Sequence, residues 1–366
     1  MPAAEIYIGL MSGTSLDGVD AVVADFSAAT PRLKAKHFLP FAAELRHELL
    51  ALNRAAPDEL HRCMVAANQL AECYAEASQT LLAKAGISAQ TVRAIGCHGQ
   101  TLRHRPESGY TVQIGNAALL AELSGITVVS DFRSRDIAAG GQGAPLVPAF
   151  HERILRHPEI HRVIVNIGGI ANLTDLPPNS HPVSGFDCGP GNLLLDAWCQ
   201  RYCGLAFDED GRWAASGKVL PKLLARLQSE PFFALPPPKS TGRDLFNPDW
   251  LHDQLEGREA PADIQATLLE LTCWGIADAI LQHAPGATEI YLCGGGARNT
   301  TLRERLAALL PNCTVDTTAS LGTDPDFLEA LAFAWLARQS LLGQPGNLPA
   351  VTGARHFCVL GAIHPA

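Results

Sequence analysis

The chain has 366 residues, 47% of them hydrophobic and 18% charged, with a formal net charge of -9 at pH 7. That length points to two domains rather than one core, and the composition excludes a disordered chain. The acidic balance makes nucleic acid and anionic membrane surfaces poor partners.

The N-terminus MPAAEIYIGL carries no basic n-region or signal-cleavage pattern. No apolar run approaches the roughly 18–20 residues of a membrane helix. The ten cysteines form no CxxC pairs, so they read as buried thiols in a reducing compartment. The expectation is a cytoplasmic protein.

In chain order, residues 5–10 and 19–26 predict two strands around a Gly/Ser/Thr-rich turn. Residues 57–84 predict a helix, with Leu60, Met64, Ala67, Leu70, Tyr74, Ala77 and Leu81 at helical spacing and Gly86 just beyond its end. Strands are expected at 92–99 and 126–132. A Gly/Pro-rich passage at 138–148 reads as the neighbourhood of a domain boundary. Residues 162–176 then repeat the opening syntax of strand, glycine turn and strand, a weak internal duplication. LPPPKSTG (235–242) reads as a surface loop. Residues 290–310 give a strand, three glycines and a helix starting near Asn299. The pattern is α/β, with an N-terminal domain at 1–135, to which 355–366 is a candidate to return, and a C-terminal domain at 136–354.

Three glycine loops suit a nucleotide. GLMSGTSLDGVDA (9–21) sets Gly9, Gly13 and Gly18 among the hydroxyls of Ser12, Thr14 and Ser15. Amides and hydroxyls in that arrangement can cradle an anion. Asp17 and Asp20 add carboxylates suited to a magnesium ion held largely through water. NIGGIANLT (166–174) repeats the device with Gly168, Gly169 and Asn172. CGGGARN (293–299) supplies Gly294, Gly295 and Gly296 before a helix, a joint at which phosphate or a flat ligand can meet backbone. Alone, the first could equally be a hairpin with a long polar turn, the second reads as a bulged hairpin, and the glycine triplet of the third is weak evidence. Together, around a duplicated body, they look like the actin-like ATPase and sugar-kinase architecture, in which the nucleotide lies in a cleft between two related domains.

GFDCGPGNLLLDAW (185–198) carries the sharpest chemical signal. Asp187 at a strand end could serve as a general base or merely cap the following helix; Asn192 already offers a cap, which favours the base. Asp196 reads as a surface charge. CHGQTLRHR (97–105) presents His98, Gln100 and Thr101 for hydroxyl or amide recognition, and DFRSRD (131–136) offers Arg133 and Arg135 as a fork for a carboxylate. Glu329 stands in an otherwise apolar helix, either facing a cleft or exposed to solvent.

Taken together, GLMSGTSLDGVDA, GCHGQT, DFRSRD, NIGGIANLT, GFDCGPGN, CGGGARN and the terminal VTGARHFCVLGAIHP resemble the anhydro-N-acetylmuramic acid kinase family, in order over essentially the whole chain. Cys188 stands where some members have Thr. The resemblance implies the actin-like, ribonuclease H-like sugar-kinase fold and a homodimer serving cell-wall recycling. It implies ATP with Mg2+ at Gly13, Thr14, Ser15, Leu16, Asp17, Gly18, Val19 and Asp20, with Gly168, Gly169, Asn172, Gly294, Gly295, Gly296 and Asn299 contributing. It places the base at Asp187 and amino-sugar contacts at Thr101, Arg133 and Glu329, beside His98 and Gln100. The implied reaction opens 1,6-anhydro-N-acetylmuramic acid with water while its 6-oxygen takes the γ-phosphoryl group. A sugar kinase without ring opening and an ATP-driven protein switch stand as the alternatives.

Overall fold

The run Ile6–Met11 is buried at every position, as befits a strand covered on both faces. It forms β1, which pairs antiparallel with β2 (Gly18–Asp25); β2 in turn pairs antiparallel with β3 (Arg32–Pro40). On the other side of β1 lies β4 (Val92–Cys97), parallel to it. A separate hairpin of β5 (Gln100–Arg105) and β6 (Tyr110–Ile114) follows, before β7 (Val128–Ser130) joins parallel to β4. The structure is a computed structural model that describes residues 4–13, 15–179 and 181–366.

The expected helix runs from Glu59 to Ala85 and ends on Gly86 at φ 63°, the left-handed C-terminal residue that glycine fills without strain. Ala67, Leu70, Tyr74, Ala77 and Leu81 are buried. Leu60 and Met64 are not, at 77% and 53% exposure, so the apolar stripe starts a turn later than its spacing suggests.

A second unit rebuilds the same sheet. β8 (Arg162–Ile167), β9 (Ile170–Leu176) and β10 (Ser184–Pro190) form an antiparallel meander; β11 (Glu289–Cys293) lies parallel to β8, and β12 (Thr314–Thr317) parallel to β11. Its order, β10-β9-β8-β11-β12, matches β3-β2-β1-β4-β7 strand for strand and direction for direction. The first sheet adds only β13 (Ala362–His364), antiparallel to β7. The weak sequence duplication is thus a duplication of sheet topology, and the fold is the actin-like, ribonuclease H-like one of ATPases and sugar kinases.

The first unit comprises the chain up to Ile154 together with Phe327–Ala366, and the second comprises Leu155–Asp326. These limits differ from the expected break at 135 and return at 355, for two physical reasons. The buried Asp136 carboxylate accepts from Gly143 N–H (2.8 Å), Asn347 Nδ2 (2.7 Å) and Thr352 Oγ1 (2.8 Å). That hub ties the Gly/Pro-rich passage to the C-terminal segment instead of leaving it a linker. The helix Leu328–Leu341 packs on β1 and β4. Gly9 and Gly96 admit it: a Cβ at Gly9 would fall 1.8 Å from the Ala330 oxygen, and one at Gly96 2.0 Å from that of Phe333.

The second unit is organised around Pro261–His283. By length and composition this helix is apolar enough to cross a membrane, contrary to the expectation that no run approaches that size. Its most apolar window is 78% buried, which makes it the central core helix of the unit.

Candidate active site

In the first unit the 12–18 turn is docked on the HGQT turn. Gln100 Nε2 donates to the Gly13 carbonyl at 3.1 Å, and Ser12 Oγ donates to the Gly99 carbonyl at 3.2 Å while sharing a 2.8 Å hydrogen bond with Tyr74 Oη. At the tip, the exposed Ser15 hydroxyl donates to Asp17 Oδ1 at 2.8 Å. Thr14 lies outside the described residues. Leu16 and Val19 point into the core, at 2% and 0% exposure, so they offer a ligand only backbone groups. Asp20 is half-buried on β2.

His98, Arg133 and Glu329 come together. Arg133 donates to His98 Nε2 through Nε (3.1 Å) and Nη2 (2.9 Å), and through Nη1 to the Gly143 carbonyl (2.7 Å). Burial, reinforced by the Arg133 charge, pushes His98 down to about 3. The ring is therefore neutral, with its Nε2 lone pair turned to the guanidinium. Burial lowers Arg133 to about 10 and raises Glu329, with the two charges opposing those shifts. Glu329 is half-buried rather than exposed. Arg135 faces solvent, so the expected two-arginine fork reduces to Arg133 alone. Gln100 serves Gly13, and Thr101 Oγ1 accepts from Gln113 Nε2 at 3.2 Å.

In the second unit three glycine turns converge. The Gly168–Gly169 turn is gripped by Gly191 N–H to Gly169 O (2.9 Å), Asn192 N–H to Gly168 O (2.8 Å) and Leu193 N–H to Gly169 O (3.1 Å). The Asn192 side chain donates to Ile167 O at 3.1 Å. Against this turn press Gly294 and Gly296, where a Cβ would lie 2.3 Å from Asn166 Oδ1 and from Ile167 Cγ2, respectively. Asn299 caps the helix Thr300–Leu309, its Oδ1 accepting from Leu302 N–H at 3.0 Å.

The loop glycines divide into two kinds. Gly18, Gly294 and Gly296 are required by packing, because a Cβ would meet protein atoms within 2.3 Å. At Gly13, Gly168, Gly169 and Gly295 a Cβ would find no atom of the described residues closer than 3.6 Å. Packing among those residues does not demand glycine at the four positions, whereas close approach of a ligand to the backbone would.

Asp187 lies on β10 opposite Asn172, which lies opposite Asn166 on β8. Residues paired this way share a sheet face, so three polar side chains form a row across the meander. The sequence pattern singles out Asp187 and Asn172 but gives no signal for Asn166. Asp187 is no helix cap, and neither is the Asn192 side chain, which is spent on Ile167. The Asp187 N–H donates to the Lys239 carbonyl at 3.1 Å, and its Oδ2 accepts from Thr241 N–H at 2.9 Å. Burial raises its carboxyl to about 6, against the lowering effect of the Thr241 amide. Thr241 Oγ1 beside it is buried without a protein partner among the described residues. The expected surface loop 235–242 therefore folds back onto the carboxylate. Asp196 also departs from expectation: it is half-buried, and burial raises it to about 7.

A carboxylate this basic can take a proton near neutral pH, and turns with open glycines can receive phosphate oxygens. Among the described residues no three His, Cys, Asp or Glu side chains gather as a metal cage.

A family model described as anhydro-N-acetylmuramic acid kinase matches residues 5–366. Anhydro-N-acetylmuramic acid kinases of Nitrosospira multiformis and Thiobacillus denitrificans are 60% and 59% identical to this chain; the alignments cover 99% of it in both cases, and 100% and 98% of the relatives. That of Nitrosomonas europaea is 56% identical, covering 98% of this chain and 99% of its own. Among solved structures, the activator of the 2-hydroxyisocaproyl-CoA dehydratase from Clostridium difficile with bound ADPNP aligns with a TM-score of 0.45 at 13% identity, over 90% of this chain and 92% of that one. With its glycine turns, its raised strand carboxylate and its near end-to-end match to these relatives, the chain belongs to the anhydro-N-acetylmuramic acid kinase family, phosphotransferases with an alcohol acceptor.

Proposed function

We propose that the protein uses ATP to open 1,6-anhydro-N-acetylmuramic acid with water and to phosphorylate its 6-oxygen, giving N-acetylmuramic acid 6-phosphate and ADP. Asp187 carries the reading: a partly buried carboxylate raised to about 6 is ionised at neutral pH yet more basic than a solvated one. It takes a proton from water as the water oxygen bonds to the anomeric carbon. The bond from that carbon to the bridging oxygen breaks, and the oxygen keeps the electron pair. That oxygen bonds to the γ-phosphorus as the bond to the ADP oxygen breaks, and Asp187 later gives its proton to solvent. Glycoside cleavage ordinarily needs a second carboxyl to protonate the leaving oxygen; capture by phosphorus replaces it.

Gly13, Gly168, Gly169 and Gly295 are the backbone positions we assign to phosphate approach. Arg133, held by His98 and facing Glu329, is assigned to the sugar. The exposed Asp17 and half-buried Asp20 suit a magnesium ion kept mostly on phosphate oxygens and water. When bound, it would neutralise charge on the β- and γ-phosphates. The same reading makes the protein a cytoplasmic homodimer in peptidoglycan recycling.

The test is ADP release with the anhydro-sugar, with open-ring N-acetylmuramic acid, and with no sugar. Release that depends on the anhydro form is expected. Equal rates with the open-ring form would indicate a conventional sugar kinase, and release indifferent to sugar an ATP-driven switch.

A further inference from the structure

Asp187 is held from outside its own sheet. Its backbone N–H reaches the Lys239 carbonyl at 3.1 Å, and its Oδ2 receives the Thr241 amide at 2.9 Å, so a three-residue strap grips it at both ends. The strap follows a Pro-rich run and lies outside any helix or strand. The Lys239 side chain makes contacts of its own beyond the strap. Nζ donates to the carbonyls of Phe233 (3.0 Å) and Phe232 (3.4 Å) and sits 4.9 Å from the Phe232 ring centroid. Phe232 is buried and packs edge-on to the fully buried Phe246. Phe233 in turn closes on β10: a Cβ at Gly189, at φ 136°, would lie 2.6 Å from its ring.

We infer that Lys239–Thr241 is the positioning strap of the base, with Lys239 as its anchor; none of the three residues is asked to touch the reacting atoms. The inference rests on Asp187 being the base. A cation held between an aromatic face and two carbonyls ties the strap to the Phe232–Phe233 segment. Displacing a reacting group by about 1 Å costs on the order of a hundredfold in rate. The titratable and charged groups around Asp187 are few. Cys188 beside it is buried and neutral, and Lys239 lies on the strap. Asp278 and His283 on the helix Pro261–His283 bear on Lys239 rather than on the carboxylate.

The experiment measures kcat, both KM values and the pH–rate profile for Lys239→Met, Lys239→Arg and Asp187→Asn. Lys239→Met should lower kcat about tenfold to a hundredfold with KM for ATP unchanged. Its acidic limb should move up by about half to one pH unit, because the carboxylate loses the amide that favours its charged form. Lys239→Arg, which can reach the same carbonyls, should recover most of the rate. If Lys239→Met does not fold, Thr241→Pro, which removes the amide proton, should give the same limb shift. A variant with normal kcat and an unmoved limb overturns the strap while leaving the base intact. An Asp187→Asn enzyme that turns over within about tenfold of the parent overturns the base itself.

Discussion

Replacing Asp187 by Asn should separate stability from catalysis in opposite directions. Burial pushes the Asp187 carboxyl up from an ordinary 3.8 to about 6, and each pH unit of such a rise corresponds to about 1.4 kcal/mol. Because the folded value is the higher one, ionisation opposes folding. The cost is absent below the unfolded value, grows as pH rises through the interval, and is complete above about 6. Asn is close to the protonated form in shape, and its Oδ1 can still accept from Thr241 N–H. The variant should therefore be more stable than the parent by up to about 3 kcal/mol at pH 8 and by roughly half that at pH 5. Its turnover should fall by about a hundred- to ten-thousandfold, the usual contribution of a general base, with ATP affinity retained. Urea unfolding at the two pH values, together with an ADP-release assay on the anhydro-sugar, reads both effects. Turnover within about tenfold of the parent would refute the base. An Asn variant no more stable at pH 8 would refute the desolvated setting from which its basicity was argued.

Other perturbations test the remaining parts. Arg133→Ala should raise KM for the sugar about tenfold or more and leave KM for ATP near its parent value; equal effects on both would show that Arg133 supports the fold and not sugar binding. Gly168→Ala has room for its methyl group, which would lie 3.6 Å from the Ile170 carbonyl oxygen, so it should melt like the parent yet bind ATP more weakly. Gly96→Ala would drive a methyl to 2.0 Å from the Phe333 oxygen and should cost about 3 kcal/mol, seen as a lower unfolding midpoint.

The sheet topology was legible because it is written locally. Buried β-branched runs and glycine exits recur in the same order at 5–26 and 162–176, and each became a hairpin beside a parallel strand. Asp187 was legible as a carboxylate with no cheap structural duty, although Asn192 does not relieve it of capping as its position suggests. What stayed hidden depends on distant partners. Asp136 looks like any loop acid until Asn347 and Thr352 are folded against it. Nothing local to Glu329 announces Arg133. The Pro-rich 235–242 stretch reads as solvent-facing because its composition cannot reveal that Lys239 finds an aromatic seat. Cys188 illustrates the converse: it is buried at 2%, and a thiol there leaves its neighbour's backbone bonds undisturbed.

The way the chain threads its two units has a consequence for how it is made. Leu155–Asp326 is continuous, so a ribosome emitting the polypeptide delivers every residue of that unit before the other is complete. The opening unit waits for its final segment, Phe327–Ala366, including the helix that covers β1 and β4 and bears Glu329. Until then two buried strands have one face bare, a sticky surface for a nascent chain. Truncation of that segment would thus remove a wall of the first core along with a polar side chain beside Arg133.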